Sequence, residues 1–154
     1  MRPAASLPRR YAALAACVFV VTAASAQNGP QPRLPTTPIG AGMHIIKAEL
    51  AVTPEQQETG MMFRREVGTN EGMLFVNDRA GERCFWMKNT LLPLSIAFIA
   101  DDGTIVNLAD MAPQTEASHC SAKPVRFALE MNQGWFKKHG IGAGFRLRSV
   151  AFSN

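Results

Sequence analysis

Alternating hydrophobic and polar residues predict most of the strands in this chain. From His44 to Val52, every second side chain faces one side, and all but His44 are apolar, whereas Lys47 and Glu49 face the other side. The same alternation recurs over residues 125–131 and 145–152. A period of two is typical of strands with one buried and one exposed face.

Shorter apolar runs add further strands. Residues 72–76 are almost wholly apolar, which predicts a buried strand. Residues 95–100 and 104–108 flank an Asp-Asp-Gly turn, and this arrangement predicts a β-hairpin. Pro93 interrupts the chain before it, so residues 83–90 and 94–100 are expected to be two strands or one bent strand.

The stretch over residues 84–90 is the strand around which the domain is expected to be organised. Alternate side chains of a strand face opposite sides, here Phe85, Met87 and Asn89 on one and Cys84, Trp86 and Lys88 on the other. The apolar majority predicts burial in the middle of a sheet. A core strand does not need Lys88 and Asn89 at its end, which makes this pair a candidate for function.

Two short helices are predicted from capping signals. Residues 53–56 combine a capping threonine, a proline suited to the first turn and a glutamine that completes a capping box, and Gly60 would end this helix. Asn132 can cap a second helix that runs through Trp135 to His139. Residues 112–122 are expected to form a long loop. About seven short strands with two short helices predict a mainly β sandwich or barrel. A parallel α/β fold would need long helices between its strands, and the sequence predicts none.

The N-terminal residues predict export. Residues 1–10 carry three arginines and no acid, an apolar run follows, and Ala24-Ser25-Ala26 has the pattern of a signal-peptide cleavage site. Residues 1–26 are therefore predicted to be a cleaved signal peptide, and the mature protein to be periplasmic or secreted without a stable membrane span. Leu14-Ala15-Ala16-Cys17 allows a lipoprotein as an alternative, which is less favoured because the apolar run continues past Cys17.

A linker is expected between the signal peptide and the domain. Residues 27–42 hold four prolines, three glycines and few large apolar side chains. Such a segment buries too little surface to fold by itself, so it is predicted to be a disordered Pro-rich tether. The β-rich domain is then expected to span residues 43–154.

Export changes how charge and cysteines are interpreted. Cleavage removes three arginines, so Lys and Arg fall from 16 to 13 against 12 acids, and the net charge becomes +1. This balance offers no support for nucleic-acid binding. Cys84 and Cys120 remain, and two cysteines in an oxidising compartment predict a disulfide, with two free thiols as the alternative.

Several segments fall in an order that resembles a known family. They are Met61-Met62-Phe63-Arg64, Glu71-Gly72-Met73-Leu74-Phe75, Phe85-Trp86-Met87-Lys88-Asn89-Thr90, Pro93-Leu94, Asp102-Gly103, Leu129-Glu130 and Gly140-Ile141. Over roughly residues 43–152 the chain resembles the domain of unknown function 192 family, small and often exported bacterial and archaeal proteins. The resemblance implies a compact, jelly-roll-like β fold and no established activity. The chain departs from the family pattern at Met61, where leucine is usual, and at Phe145, where an acid is usual.

The residues that would suit an enzyme or a metal site are also explained by structural roles. No catalytic triad order, phosphate loop or metalloprotease motif is present, and no catalytic residue or cofactor is predicted. Arg64 and Lys88 are expected to pair with Glu71 and Glu130 as structural ion pairs rather than to form an active site. Seven methionines in the mature chain, with Cys84, Cys120 and His119, would suit Cu(I), but most of them fall on apolar strand faces.

The favoured function is non-enzymatic binding or an accessory role in the cell envelope. The candidate binding surface consists of one aromatic and four polar residues: Arg64, Trp86, Lys88, Asn89 and Glu130. An aromatic platform with polar donors suits a small molecule such as a carbohydrate, a carboxylate or a peptide end. The partner is expected to be a small molecule or an envelope protein. A copper-binding protein is the first alternative and an enzyme without a recognised motif is the second.

Overall fold

The computed structural model describes residues 29–152, which form eight strands, two short helices and a 3₁₀ turn at Val150–Phe152. The strands are β1 Thr36–Ala41, β2 His44–Ala51, β3 Glu71–Gly81, β4 Cys84–Phe85, β5 Leu94–Ile99, β6 Ile105–Met111, β7 His119–Cys120 and β8 Val125–Asn132. The helices are α1 Pro54–Thr59 and α2 Trp135–Lys138. The predicted signal peptide and Cys17 lie outside the described residues.

Six strands form one mixed sheet in the order β1-β2-β3-β8-β5-β6, and β4 pairs with β7 in a separate two-stranded sheet. The mainly β prediction is confirmed, and within residues 29–152 the sheets do not close into a barrel. β2 and β3 are parallel, whereas every other neighbouring pair is antiparallel. Residues 52–70, which include α1, provide the crossover that this parallel pair requires.

β8 lies between β3 and β5, and its side chains contribute to a core on each side of the sheet. Phe127, Leu129 and Met131 join the core that contains α2 and the end of the chain, here called the α2 face. Ala128 belongs to the core on the opposite side, here called the pocket face, and Glu130 follows it with the same parity. Residues 61–67 and 85–92 cover the pocket face.

The prediction of a disordered linker over residues 27–42 is wrong for its second half, because Thr36–Ala41 is strand β1. Thr37, Ile39 and Ala41 alternate into the α2-face side of the sheet, with Thr37 6 % exposed and Ile39 fully buried. Pro38 faces outward on this edge strand, where a missing N–H does not interrupt the sheet. Upstream, Gln31 donates to the carbonyl oxygens of Gln56 and Gly60.

The prediction that residues 83–90 form a buried central strand is also wrong. Only Cys84–Phe85 is strand, and it pairs with His119–Cys120 outside the main sheet. Residues 83–90 and 113–122, here called the disulfide ribbon, are further held by hydrogen bonds from Met87 N to Thr115 O and from Gln114 N to Thr90 O. The Cys84–Cys120 disulfide joins the two halves and confirms the predicted pairing.

The capping signals of α1 are confirmed, whereas those of α2 are not. Thr53 and Gln56 form a reciprocal capping box, and Gly60 ends the helix with a positive φ of 47°. α2 is capped by Gly134 at a φ of 77° and not by Asn132. The Asn132 amide instead donates to the carbonyl oxygens of Val67 and Gly68, and so fixes the crossover segment against β8.

The predicted last strand over residues 145–152 is reduced to two isolated bridges, which pair Arg148 with Gly40 and Arg146 with Thr104. A 3₁₀ turn then places Phe152 against Phe127, with ring centroids 5.0 Å apart. The segment therefore caps the α2 face instead of extending the sheet. None of the helices in residues 29–152 is long and apolar enough to cross a bilayer.

Candidate functional site

A pocket of about 420 Å³ opens on the pocket face, between the end of α1, the middle of β3 and the disulfide ribbon. The parallel crossover brings α1 to this position, and the disulfide fixes the ribbon opposite it. The lining residues that carry its chemistry are Gln57, Phe75, Asn77, Trp86, Thr90 and Glu130. The pocket thus combines aromatic rings with a small set of polar groups, as small-molecule sites do.

Glu130 is the buried acid of this pocket. Its register partners are Met73 on β3 and Ile96 on β5, both fully buried, and Glu130 itself is only 4 % exposed. Within residues 29–152, no side chain or backbone group hydrogen-bonds or ion-pairs with its carboxyl group. Burial raises the pKa of Glu130 to about 8, so the carboxyl group is mostly protonated at neutral pH.

Aromatic side chains form the apolar part of the pocket. Phe85 packs edge-on against Phe75 with ring centroids 4.9 Å apart, which places the start of the ribbon against β3. Trp86 follows it and is 46 % exposed, so its ring is open to a ligand. The Lys88 ammonium lies 5.1 Å from the centre of the Trp86 ring, a cation–π contact.

The two amide side chains of the pocket use their NH₂ groups to hold the scaffold. Gln57 donates to the carbonyl oxygens of Ala51 and Val76, which ties α1 to the neighbouring strands β2 and β3. Asn77 donates to the carbonyl oxygen of Arg126 across the β3–β8 pair. In the described part of the chain, neither Oδ1 of Asn77 nor the Oε1 of Gln57 accepts a hydrogen bond, so both remain available to a ligand.

The disulfide lies at the pocket wall, since Cys84 is among the lining residues. The carboxylate of Glu82 and the two sulfurs lie within 4.8 Å of one another. Bonded sulfurs are not thiolate ligands, so a soft metal would require reduction of this bond. Most methionines that suggested copper are core residues: Met61, Met73, Met87, Met111 and Met131 are buried.

Arg64 forms a structural ion pair, as predicted, but with a different partner. Its Nη1 and Nη2 each donate to Glu49 at 2.7 Å, and Arg33 and the Leu34 N–H donate to the same carboxylate at 2.8 Å. Burial alone would raise the pKa of Glu49, but the hydrogen bonds from Arg64, Leu34 and Arg33 outweigh it and lower that pKa. Arg64 therefore pairs with Glu49 and not with Glu71 or Glu130.

The structure brings together two of the five candidate residues. Trp86 and Glu130 line the pocket, whereas Lys88 does not and contacts only the Trp86 ring. Asn89 is exposed with a φ of 55°, and its carbonyl oxygen accepts from Phe63 N at 2.8 Å, so its place is in a turn. Gln57, Asn77 and Thr90 were not identified as site residues from the sequence. They are single polar residues on separate elements, and no local pattern shows that the fold brings them to the same pocket.

Comparison with known proteins places the chain in a family. The model of the DUF192 family, described as "Uncharacterized ACR", matches residues 36–149. The chain belongs to this family. The DUF192 match begins with β1, in agreement with the structure.

Two solved structures from bacteria are similar to this DUF192 chain. A "putative transcription regulator" from Sinorhizobium meliloti 1021 is 37 % identical, with a TM-score of 0.74 over 79 % of this chain and 98 % of that one. A protein of unknown function from Novosphingobium aromaticivorans DSM 12444 is 34 % identical, with a TM-score of 0.72 over 80 % of this chain and 94 % of that one. No curated protein matches the chain.

Proposed function

We propose that this DUF192 protein is an exported, non-enzymatic binding domain of the cell envelope, which holds a small molecule in the pocket between Trp86 and Glu130. The observation that carries the proposal is the Glu130 carboxyl group, which is 4 % exposed, lines the pocket and has no partner within residues 29–152. A buried carboxyl group without a partner lowers the stability of the folded protein, so its presence is explained by a role other than folding, here ligand binding.

The surroundings of Glu130 support binding better than catalysis. Trp86 offers an open ring and Thr90 a buried hydroxyl, but no histidine or free thiol lines the pocket in the described residues. The described lining therefore contains neither a thiol nucleophile nor a hydroxyl activated by histidine. Export is supported by the N-terminal sequence pattern and by the disulfide, which persists in an oxidising compartment.

The description as a transcription regulator belongs to the Sinorhizobium relative, and we propose no nucleic-acid-binding role for this chain. The net charge of +1 for the mature chain gives no general attraction to phosphate backbones. No observation on the described surface favours a nucleic-acid partner over a small molecule.

The test is to screen a fragment library of cationic, neutral and anionic compounds against the ¹⁵N-labelled protein by NMR. We expect at least one class to shift the Trp86 indole and Thr90 amide signals. Trp86→Ala should abolish the shifts at Thr90, whereas Leu91→Ala should keep them, because Leu91 is similarly exposed at 41 % and does not line the pocket. Absence of any shift at these signals, or equal shifts in Trp86→Ala, would refute the proposal.

A second candidate is a soft-metal site that exists only after reduction. The cluster of Glu82, Cys84 and Cys120 favours it, because two thiolates beside a carboxylate could hold Cu(I). The reduced protein should then bind about one Cu(I) per chain in competition with a colorimetric chelator, and Cys120→Ser should abolish this binding. Equal copper uptake by the oxidised protein would argue against this site.

A further inference from the structure

Most unused polar groups of the pocket are hydrogen-bond acceptors, and the exception is the Nε–H of Arg83, a buried donor without a partner in the described residues. The amide nitrogens of Gln57 and Asn77 are bound to backbone carbonyl groups, which leaves the two amide oxygens. Thr90 adds a buried hydroxyl oxygen, and Glu130 adds its carboxyl oxygens. A site rich in acceptors is matched by a ligand rich in donors, and an ammonium group carries three donors and no acceptor.

The charges around the pocket favour the same ligand. Three acidic residues, Glu58, Glu82 and Glu130, line it with one basic residue, Arg83. Arg83 is partly committed elsewhere, because its Nη2 donates to the carbonyl oxygen of Arg79 at 2.6 Å. Arg83 keeps its charge, so the lining carries one net negative charge while Glu130 is protonated and two once Glu130 ionises, which attracts a cation and repels an anion.

The pocket also lacks an internal cation for Glu130. Arg64, the buried arginine of this half of the sheet, is taken by Glu49, and Arg33 shares that carboxylate. Lys88 lies over Trp86, and no ion pair joins it to an acid in the described residues. Trp86, Phe75 and Phe85 provide rings against which a cation and an apolar body can both pack.

We propose that the ligand is a primary ammonium compound with an apolar body, whose ammonium group pairs with the Glu130 carboxylate while the body packs on Trp86. This inference rests on the proposed binding function and names the class of ligand. Glu130 is protonated in the empty pocket, so binding moves its proton to solvent as the ion pair forms. The positive charge of the ligand replaces that proton, so the net charge of the pocket is the same in both states.

The experiment compares three compounds of similar size and different charge: phenethylamine, 2-phenylethanol and phenylacetate. Binding is measured by NMR titration at the Trp86 indole from about pH 6 to pH 8.5. Only phenethylamine should bind more tightly as the pH rises, by about 50-fold between pH 6 and pH 8, because Glu130 with a pKa of about 8 must release its proton. At pH 8, Glu130→Gln should weaken phenethylamine binding at least tenfold, and it should remove the pH dependence. Glu116→Gln is the matched control, because Glu116 is exposed and does not line the pocket, and it should change the affinity less than threefold.

Each outcome separates the ligand class from the binding function. Tighter binding of phenethylamine that depends on Glu130 supports both. If 2-phenylethanol or phenylacetate shifts the Trp86 signal with equal or higher affinity, the ligand class is wrong and the pocket still binds. If none of the three shifts that signal at millimolar concentration, while the fragment screen does find pocket ligands, the ammonium inference alone is overturned. If that screen also finds none, both proposals fall.

Discussion

Arg64 donates both terminal guanidinium nitrogens to the two carboxylate oxygens of Glu49, each at 2.7 Å, and both residues are at most 5 % exposed. Arg64→Ala should destabilise the protein by about 3 kcal/mol or more, because it leaves the Glu49 carboxylate buried without its main partner. Urea unfolding measures this change. Arg33→Ala is the matched control: Arg33 binds the same carboxylate but is 57 % exposed in its side chain, so the loss should be below about 1 kcal/mol.

The same pair should contribute to acid sensitivity. Because the pKa of Glu49 is lowered in the folded protein, its stabilising effect is present above the unfolded value and is lost as the pH falls through the lowered pKa. Unfolding curves of Arg64→Ala and of the wild type should therefore converge at low pH. Parallel curves down to strongly acidic pH would contradict this expectation.

Glu130→Gln should stabilise the protein above neutral pH. The pKa of about 8 in the folded protein lies above the ordinary glutamate value of 4.5, so the folded state holds the proton more tightly and loses stability as the pH rises from the lower value to the higher one. The wild type should lose about 1.4 kcal/mol per pH unit at most, whereas Glu130→Gln lacks this slope. Urea unfolding between these pH values measures the difference. The slope should persist in Glu82→Gln, and its persistence in Glu130→Gln would show that Glu130 does not cause it.

The disulfide should stabilise the domain mainly by restricting the unfolded chain. Cys84 and Cys120 are 36 residues apart, so their bond is worth roughly 3–4 kcal/mol in the chain-entropy model. The double variant Cys84→Ser/Cys120→Ser should lose about that amount in urea unfolding, and a dithiol reductant should lower the wild type to the same level. The double variant should not respond to the reductant. Two free thiols per chain in the unreduced wild type would refute the bond in solution.

Gly72 should not tolerate a side chain. It pairs with Met131, and a Cβ atom there would overlap the carbonyl oxygen of Glu130 and the sulfur of Met131. Because the overlapped oxygen belongs to the backbone of the central strand, Gly72→Ala should cost at least about 2–3 kcal/mol in thermal or urea unfolding. Gly142→Ala is the control, since nothing lies within 4 Å of that position, and it should change stability by less than about 0.5 kcal/mol. Equal effects of the two substitutions would contradict this explanation.

Lys88 and Asn89 should differ in their effect on stability. Asn89 adopts a φ of 55°, so Asn89→Ala should cost about 1 kcal/mol and Asn89→Gly should cost less. Lys88 is exposed and its cation–π contact is worth about 0.5–1 kcal/mol, so Lys88→Ala should lose no more than that. Thermal shift measures all three variants. A larger loss for Lys88→Ala than for Asn89→Ala would show a structural role for Lys88 that the described contacts lack.

Signals that act over a few residues were sufficient to predict several elements. The capping box of Thr53 and Gln56, the hairpin turn before Thr104 and the strand predicted from alternation over β8 all depend on neighbouring residues, and all are confirmed, although β8 is buried on both faces. The linker prediction failed because it relied on the proline and glycine content of residues 27–42 and not on the order of their polar and apolar residues. The alternation of Thr37, Ile39 and Ala41 is the signal that would have indicated β1, and Pro38 fits because β1 is an edge strand.

The site was only partly predictable because it depends on pairings over long distances. Alternation around Trp86 suggested a central strand, but the pairing partner of Cys84–Phe85 is His119–Cys120, which no local pattern indicates. The partner of Arg64 could not be chosen from sequence, because several carboxylates were available and the parallel β2–β3 register decides which one lies nearby. Glu130 was expected from the sequence to pair with Arg64 or Lys88, whereas the structure shows its carboxyl group without such a partner in the described residues.

The central position of β8 sets the order in which the sheet can assemble during synthesis. β8 covers residues 125–132 and joins β3 to β5, so a growing chain that ends before it can form β1-β2-β3 and the β5–β6 hairpin only as separate halves. Pairings between segments so far apart in sequence form slowly compared with local ones. On the proposed export route, the chain would thus remain unfolded enough to pass through a translocation channel until nearly the whole domain has crossed the membrane. The pocket that β3, β8 and the disulfide ribbon share would form only after export.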